Sequence, residues 1–587
     1  MAKTEKIIVC CGTGCIANGS LEVADALEKE IKRQKRKVKI VAHVERSGCS
    51  GECARGPIVR LLPRDTVYYK VKTTDAKDII DSLEGEPVKR LLHRQDGKFF
   101  EHMHENPFHH KQHKLVLASM GIIDPESIDA YIEAGGYVGL KKALKMKPED
   151  IIKQVEISGL RGKGGAGFPT AIKWRTAAGY DNFPKYIVCN GDEGDPGAFM
   201  DRSTMEGCPH SVIEGMIIGA LAIGAEKGYL YIRDEYALAR QRIQKAIDDC
   251  KRKKILGKNI LGSGKKLELE IVRGGGAFVC GESTALMASI EGRVGEPRAK
   301  YIRSVQRGLW DQPTVLNNVE TLASIPVILK DGGKKYTKTK VFAMVGKVKS
   351  TGLVEVPMGT TLRTLIYDIG GGIIGDRPFK AVQTGGPSGG CIPEKLLDLP
   401  VDFDTLSEHG AMMGSGGMIV MDDRSCMVEV ARYYVDFLCE ESCGKCTPCR
   451  EGLRQMREIL TRICEGKGEM EDIEMLKRIG NMMQDASLCA LGKSASNPVL
   501  STIKYFRSEY VAHIKEHRCP AGVCPKLTKF VVNKDKCRGC CACSRACPTD
   551  AIKGKPKLPH KINTKKCISC GSCREACRFD AIETKGR

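Results

Sequence analysis

The sequence has 587 residues, 42% hydrophobic and 28% charged, with 28 cysteines and a formal net charge of +21. That length suits roughly four domains, and the composition is that of a folded globular chain rather than a disordered or fibrous one. No apolar run approaches the ~18 residues of a membrane span and no apolar leader follows the start, so a cytoplasmic protein without a membrane span is expected. Cysteines at C-x2-C spacing in such a chain point to metal rather than to a disulfide framework.

Residues 1–87 open with an apolar strand, a Gly-rich turn and a helix from about Leu21 to Ile31 that Ser20 can cap. A second apolar strand leads to SGCSGECARGP, so the pairs Cys10/Cys15 and Cys49/Cys53 each follow a strand. Cys11 competes with Cys10 for the first place, and a redox-active dithiol would rather be spelled C-x-x-C. The two pairs resemble those of thioredoxin-like [2Fe–2S] ferredoxins, which implies Cys10, Cys15, Cys49 and Cys53 as ligands. Residues 88–125 are polar and rich in histidine, none paired with a cysteine or carboxylate at helical spacing; a solvated linker is expected.

Residues 126–338 carry the glycine loop SGLRGKGGAGFPTAIKW at 158–174. Such a loop lets backbone N–H groups approach a phosphate, and Lys163 and Lys173 would add charge. It is spelled neither as a Rossmann nor as a Walker loop. Three blocks follow it: YIVCNGDEGDPGAFMDR at 186–202, GAFVCGESTALMASIEG at 277–292 and PTVLNNVETLASIP at 313–326.

In this order the four blocks resemble the FMN- and NADH-binding subunit of respiratory complex I and its soluble relatives, over about residues 120–515. The resemblance implies that Gly162, Gly164, Gly165, Ala166 and Lys173 line the FMN phosphate and ring. Asn190, Asp192, Glu193, Gly281, Glu282, Asn317, Asn318 and Thr321 would complete the flavin site. Phe168 would face the adenine, and Asp195 and Lys300 would reach the nucleotide. No protein acid or base is needed for hydride transfer, so no catalytic side chain is expected. Three positions depart from the pattern: Ser283 replaces a second acid, Asp195 a longer Glu, and PRAKYIRSV a Pro-Pro-Phe segment. Arg303 in that segment can stack or meet a 2′-phosphate, which keeps NADP(H) beside NAD(H).

Residues 339–425 read as a hairpin then a helix and resemble the β-grasp insert of the same family. In residues 426–512, Cys443, Cys446 and Cys449 with Cys489 match that family's [4Fe–4S] site in a helical bundle. Residues 513–530 bring Cys519 and Cys524 near His513 or His517; with Cys464 they would make a closed structural zinc set, and His513 is preferred. Residues 531–587 hold two copies of C-x2-C-x2-C-x3-C. In two-cluster ferredoxins the fourth cysteine serves the other cluster. Cys537, Cys540 and Cys543 then go with Cys577, and Cys567, Cys570 and Cys573 with Cys547; Cys541 is an extra. Arg578 stands where the first copy has Pro548.

Each thiolate cluster carries about −2, as does an FMN phosphate, so the cofactors would remove roughly ten units of the positive charge. No nucleic-acid motif is present, and no nucleic-acid partner is expected. The expected fold is multidomain α/β and α+β. A thioredoxin-like [2Fe–2S] domain, a Rossmann-like FMN domain of the complex I type, a β-grasp insert, a [4Fe–4S] helical bundle and a two-cluster ferredoxin follow one another. The cofactors would be FMN, NAD(H) or NADP(H), one [2Fe–2S], three [4Fe–4S] and one zinc.

The fusion looks like the flavin-bearing B subunit of soluble NAD(P)-linked complexes: electron-bifurcating hydrogenases, formate dehydrogenases and transhydrogenases. That resemblance implies partners: a small [2Fe–2S] subunit, a cluster-rich catalytic subunit and ferredoxin. The competing readings are a non-bifurcating diaphorase module, the electron-input component of another reductase, and a non-catalytic relay with a decayed nucleotide pocket.

Overall fold

A computed structural model describes residues 4–34, 41–95, 97–299 and 301–586. Lys300, expected at the nucleotide, lies outside the described residues.

The first strand, Thr4–Cys10, pairs in parallel with Val41–Ser47 and antiparallel with Val59–Leu62, which pairs onward with Thr66–Tyr68. Helix Ser20–Gln34 packs on one face, where Ile7, Val9, Leu27, Val59 and Leu61 are fully buried. Alternation along the strand sends the two adjacent cysteines to different faces. Cys11 joins Ile7 and Val9 in the helix-covered core, whereas Cys10 falls in a separate cluster with Cys15.

The connector is not a solvated linker. It forms a hairpin of His93–Gln95 with Lys98–Phe100 and a short helix Pro107–His110, and buries Asn106, Phe108 and His109. The reason lies in Glu52, a buried carboxylate between the second cysteine pair. His109 Nε2 meets Glu52 Oε2 at 2.7 Å, Tyr69 Oη donates to the same oxygen at 2.9 Å, and Lys114 Nζ donates to His109 Nδ1 at 2.9 Å. That chain of donors sets a neutral His109 with its proton on Nε2. Burial opposes the Glu52 charge, but the hydrogen bonds from His109 and Tyr69 and the Arg55 guanidinium outweigh it and hold the carboxyl below its usual range.

The next sheet is wholly parallel. Its order is Thr314–Asn318, Tyr186–Gly191, Lys227–Arg233, Glu268–Gly274, with Asn318 in register with Asn190. Being covered on both faces, it reads as near-continuous apolar runs such as YIVC and GYLYI. Helix Pro209–Ile223 is apolar nearly all round and packs against helix Val319–Asp331. The chain passes to opposite sides of Tyr186–Gly191, so a crevice opens at the carboxyl ends of that strand and Thr314–Asn318, the place where open α/β sheets bind ligands.

A mixed five-stranded sheet follows, ordered Gly352–Pro357, Thr339–Gly346, Gly417–Asp422, Phe379–Thr384, Gly390–Pro393. Its first two strands are the expected hairpin. Helices Met427–Glu441, Thr447–Cys464, Met470–Ala486 and Asn497–Lys515 form the bundle. In the tail, Lys529–Val532 pairs with Ile582–Lys585 and Ile552–Lys553 with Lys561–Ile562.

The domains are joined by specific contacts. Thr13 N donates to Glu206 Oε2 at 3.0 Å and Arg242 donates to Cys11 O at 3.0 Å, seating the first cysteine loop on helix Met200–Gly207. A Cβ added to Gly48 would lie 2.3 Å from Gly207 Cα, so only glycine permits this approach. At the other end, Arg424 pairs with Asp580 at 2.8 Å and Arg574 donates to Ala521 O at 2.8 Å.

Candidate flavin, cluster and metal sites

The glycine loop and the two strand ends meet in the crevice. Gly162 N donates to Phe168 O at 2.8 Å, which closes the loop, and Lys163 N donates to Thr321 Oγ1 at 2.8 Å, which fixes it to helix Val319–Asp331. Gly165 has φ +125°, outside the reach of ordinary residues, and pairs across to Gly414. A Cβ on Gly164 would stand 3.0 Å from the Asn318 side chain. Gly164, Ala166 and Phe168 remain exposed along the loop. Lys173 Nζ donates to Leu316 O at 2.8 Å, at the strand end. Lys163 does not add charge to a phosphate: its ammonium is buried, 3.1 Å from Glu320 and 2.9 Å from Ser324.

Asn190 and Asn318 organise the crevice through short-range bonds. Asn190 donates to Gly281 O at 3.0 Å and accepts from Asp192 N at 3.0 Å. Asn318 caps its helix by accepting from Glu320 N at 2.9 Å. Glu282 caps helix Ser283–Ile290 through Thr284 N at 2.8 Å. Trp174 Nε1 holds Asn317 Oδ1 at 2.9 Å. Glu193 accepts from the N–H groups of Asp201 and Arg202, both at 3.0 Å.

Several polar atoms in this crevice are left without a hydrogen-bond partner: both oxygens of Asp192, Asn317 Nδ2 and Asp201 Oδ1. Burial pushes the Asp192 carboxyl up to about 7, only partly offset by Arg233, and pushes Asp195 up to about 6 against a hydrogen bond from Ser415. Buried groups of this kind are normally satisfied. A polyhydroxylated, phosphate-bearing ligand would supply donors to Asp192 and an acceptor to Asn317, so the residues present fit FMN.

Beside the loop, Arg303 lies 6.0 Å over the Phe168 ring, bringing the PRAKYIRSV segment to the expected nucleotide face. Tyr301 is 95% exposed, with no ring contact among the described residues. Ser415, which no sequence motif marks, donates to Asp195 at 2.7 Å.

The cysteine sets gather as follows. Cys49 and Cys53 have their sulfurs 3.6 Å apart, and Cys10 lies within reach of Cys15 and Cys49. Cys11 faces away, its thiol pushed up to about 11 by burial. Cys443, Cys446, Cys449 and Cys489 line one cavity with Phe278, Val279 and Leu438. In the tail, Cys547 shares a cavity with Cys567, Cys570 and Cys573, while Cys577 lies near Cys543 together with Cys537 and Cys540. This is the crossed arrangement.

The remaining constellation differs from expectation by one residue. Cys426, His513, Cys519 and Cys524 are all buried, and their ligand atoms lie within 4.8 Å of one another. His513 Nε2 stands 3.3 Å from Cys426 Sγ and 3.3 Å from Cys524 Sγ, and the two sulfurs are 3.7 Å apart. A tetrahedral zinc with Zn–S of about 2.3 Å and Zn–N of about 2.0 Å has edges of about 3.8 and about 3.5 Å. His513 Nδ1 is held by Glu509 O at 2.7 Å, which leaves Nε2 free as a ligand. His517 is exposed. Cys464 lies close to Cys524 and Glu429 but outside the mutually close set of four. Cys426 was invisible in the sequence because it stands 98 residues from Cys524, with no spacing to mark it.

Comparison with known proteins agrees with this layout. Family models match in chain order: a thioredoxin-like [2Fe–2S] ferredoxin over residues 2–84, the Nuo51 FMN-binding domain over 155–327 and an SLBB domain over 341–392. The NADH-ubiquinone oxidoreductase-F iron–sulfur binding region then matches 429–513, and a 4Fe-4S dicluster domain 529–578. The NADP-reducing hydrogenase subunit HndC of Solidesulfovibrio fructosivorans is 50% identical over 458 residues, 77% of this chain and 93% of that protein. The F subunit of the NADH-quinone oxidoreductase of Aquifex aeolicus is 43% identical over 398 residues, 66% of this chain and 92% of that protein. A crystal structure of NAD+-reducing [NiFe]-hydrogenase in the H2-reduced state superposes with a TM-score of 0.62 at 28% identity, covering 87% of this chain and 84% of that one.

Proposed function

Because the chain belongs to the family of flavin-binding, iron–sulfur subunits found in NADH-quinone oxidoreductases and NADP-reducing hydrogenases, we propose that it is the NAD(P)H-facing electron gate of a cytoplasmic complex. FMN, when bound, would exchange a hydride with the nicotinamide and release electrons singly. The chain's own residues bind and orient. The glycine loop and Lys173 would cradle the phosphate end, Asp192 and Asn317 would meet the polar groups, and Glu193 and Glu282 brace the surrounding backbone.

The observation that carries this reading is the set of unmet buried polar atoms of Asp192 and Asn317 at the carboxyl ends of two parallel strands, with Asp201 joined to Asn318 from the neighbouring helix and the glycine loop beside them. Cluster domains precede and follow the flavin domain along the chain, which favours two exit routes. On this reading the clusters number one [2Fe–2S] and three [4Fe–4S], and Cys426, His513, Cys519 and Cys524 hold a structural zinc. One route supplies low-potential ferredoxin, making the chain the flavin-based bifurcating subunit. Its complex includes a small [2Fe–2S] subunit and a cluster-rich catalytic subunit.

Arg303 beside Phe168 favours a second reading, in which NADP(H) is the nucleotide. Among the described residues no helix is long and apolar enough to cross a membrane.

The test is an anoxic titration of the reconstituted chain with one equivalent of NADH or NADPH, followed by visible absorbance. Bleaching by NADH supports the first reading, and bleaching by NADPH alone the second. No bleaching of a fully loaded protein by either removes the proposal for the isolated chain.

A further inference from the structure

The strongest unexplained feature is a buried charged latch between the β-grasp sheet and the flavin crevice. Glu320 begins helix Val319–Asp331 and is 1% exposed. Its Oε1 accepts from Val341 N at 2.9 Å and lies 3.1 Å from Lys163 Nζ; its Oε2 pairs with Lys340 Nζ. Lys340 is fully buried and also donates to Val341 O at 2.7 Å. Lys163 belongs to the glycine loop, Glu320 directly follows the Asn318 cap and its neighbour Val319, and Lys340 sits on the β-grasp strand Thr339–Gly346.

A packed apolar contact would hold the two domains together with no desolvation cost, whereas each buried ion carries a desolvation penalty. What the ions provide instead is directional fixing of three segments at once. Two of these segments line the crevice: Lys163 N is bound to Thr321 Oγ1 at 2.8 Å, and a Cβ on Gly164 would touch Asn318 at 3.0 Å. The groups facing the latch from neighbouring elements are also acidic. Asp201 and Glu193 lie toward the crevice, and Glu355 faces Lys163 from the strand Gly352–Pro357 while accepting from the backbone N–H groups of Leu115, Val116 and Leu117.

We propose that Lys340, contributed by the β-grasp domain, is a positioning residue for the flavin: through Glu320 and Lys163 it fixes the glycine loop in its ligand-binding form. The inference rests on the FMN reading of the crevice. The β-grasp domain is then part of the flavin site without touching the flavin.

The test uses the full cluster-loaded chain, titrated with FMN and followed by flavin fluorescence, with the bound flavin's midpoint potential as second readout. Lys340→Met and Lys163→Met are each expected to raise the FMN dissociation constant by about tenfold. The double variant should fall well short of a hundredfold, because both act through one carboxylate. In Lys340→Met the flavin that still binds should show a lower potential, since an ammonium behind the loop is gone; a merely structural role would leave it unmoved. Should Lys340→Met fail to fold, Lys340→Gln, which keeps a donor to Glu320, is expected to weaken FMN by about threefold. Unchanged FMN affinity and potential in whichever Lys340 variant folds would overturn the proposal, as would fully multiplicative effects in the double variant. Failure of the unsubstituted chain to bind FMN would instead remove the reading of the crevice itself.

Discussion

Replacing Cys426 by serine is expected to empty the buried thiolate–imidazole site, while replacing Cys464 by serine is not. The geometry separates the two. Cys426 Sγ stands 3.3 Å from His513 Nε2 and 3.7 Å from Cys524 Sγ, close to the edges a zinc tetrahedron would have. Cys464 lies near Cys524 and Glu429 but is not one of the four ligand atoms that all lie within 4.8 Å of one another. Apparent zinc-site energies run to about 10–16 kcal/mol for four ligands, so a quarter share is roughly 3 kcal/mol, or about a hundredfold in zinc affinity. The assay is zinc content by mass spectrometry after dialysis against a chelator, with iron counted in the same sample to show that the clusters survive. Cys426→Ser should lose its zinc and keep its iron; Cys464→Ser should keep both. Retention of zinc in Cys426→Ser with loss in Cys464→Ser would refute the assignment and restore the set that spacing alone suggested.

Two further perturbations follow from contacts and charge. Gly48→Val places a Cβ against Gly207, where 2.3 Å separates them, so the [2Fe–2S] domain should lift from helix Met200–Gly207; faster proteolysis at residues 88–125, with the flavin domain intact, would show it. Asp192 is raised from 3.8 to about 7 by burial, so the flavin-free native state binds more protons than the unfolded chain between those values. The sign is therefore a loss of stability as pH rises from about 4 to about 7, of order 4 kcal/mol at ~1.4 kcal/mol per unit. Asp192→Asn should remove that share, read as urea midpoints of flavin-free protein at both ends of the window.

What the sequence disclosed was whatever is local. Cysteine triplets at fixed spacing, the glycine loop and the Asn-Asn strand end each carry their chemistry within about 15 residues. Each sits where the spacing put it. Alternation along Thr4–Cys10 could also have separated Cys10 from Cys11, since neighbours on a strand face opposite ways. What stayed hidden depends on partners far away in the chain. His109 looks like one of several solvated histidines until Glu52, 57 residues earlier, is brought to 2.7 Å. Lys163 looks like a phosphate ligand until Glu320, at the start of a distant helix, draws it inward. Lys340 reads as an ordinary strand lysine, and nothing in its neighbourhood announces full burial.

The claim at the centre is that electrons from the nucleotide reach the clusters only through the flavin crevice. The direct measurement is EPR on cluster-loaded, FMN-stripped protein mixed anoxically with NADH or NADPH, repeated after adding one equivalent of FMN. The account predicts no reduced-cluster signal without the flavin and its appearance once FMN is restored. Reduced clusters in the flavin-free protein would contradict it.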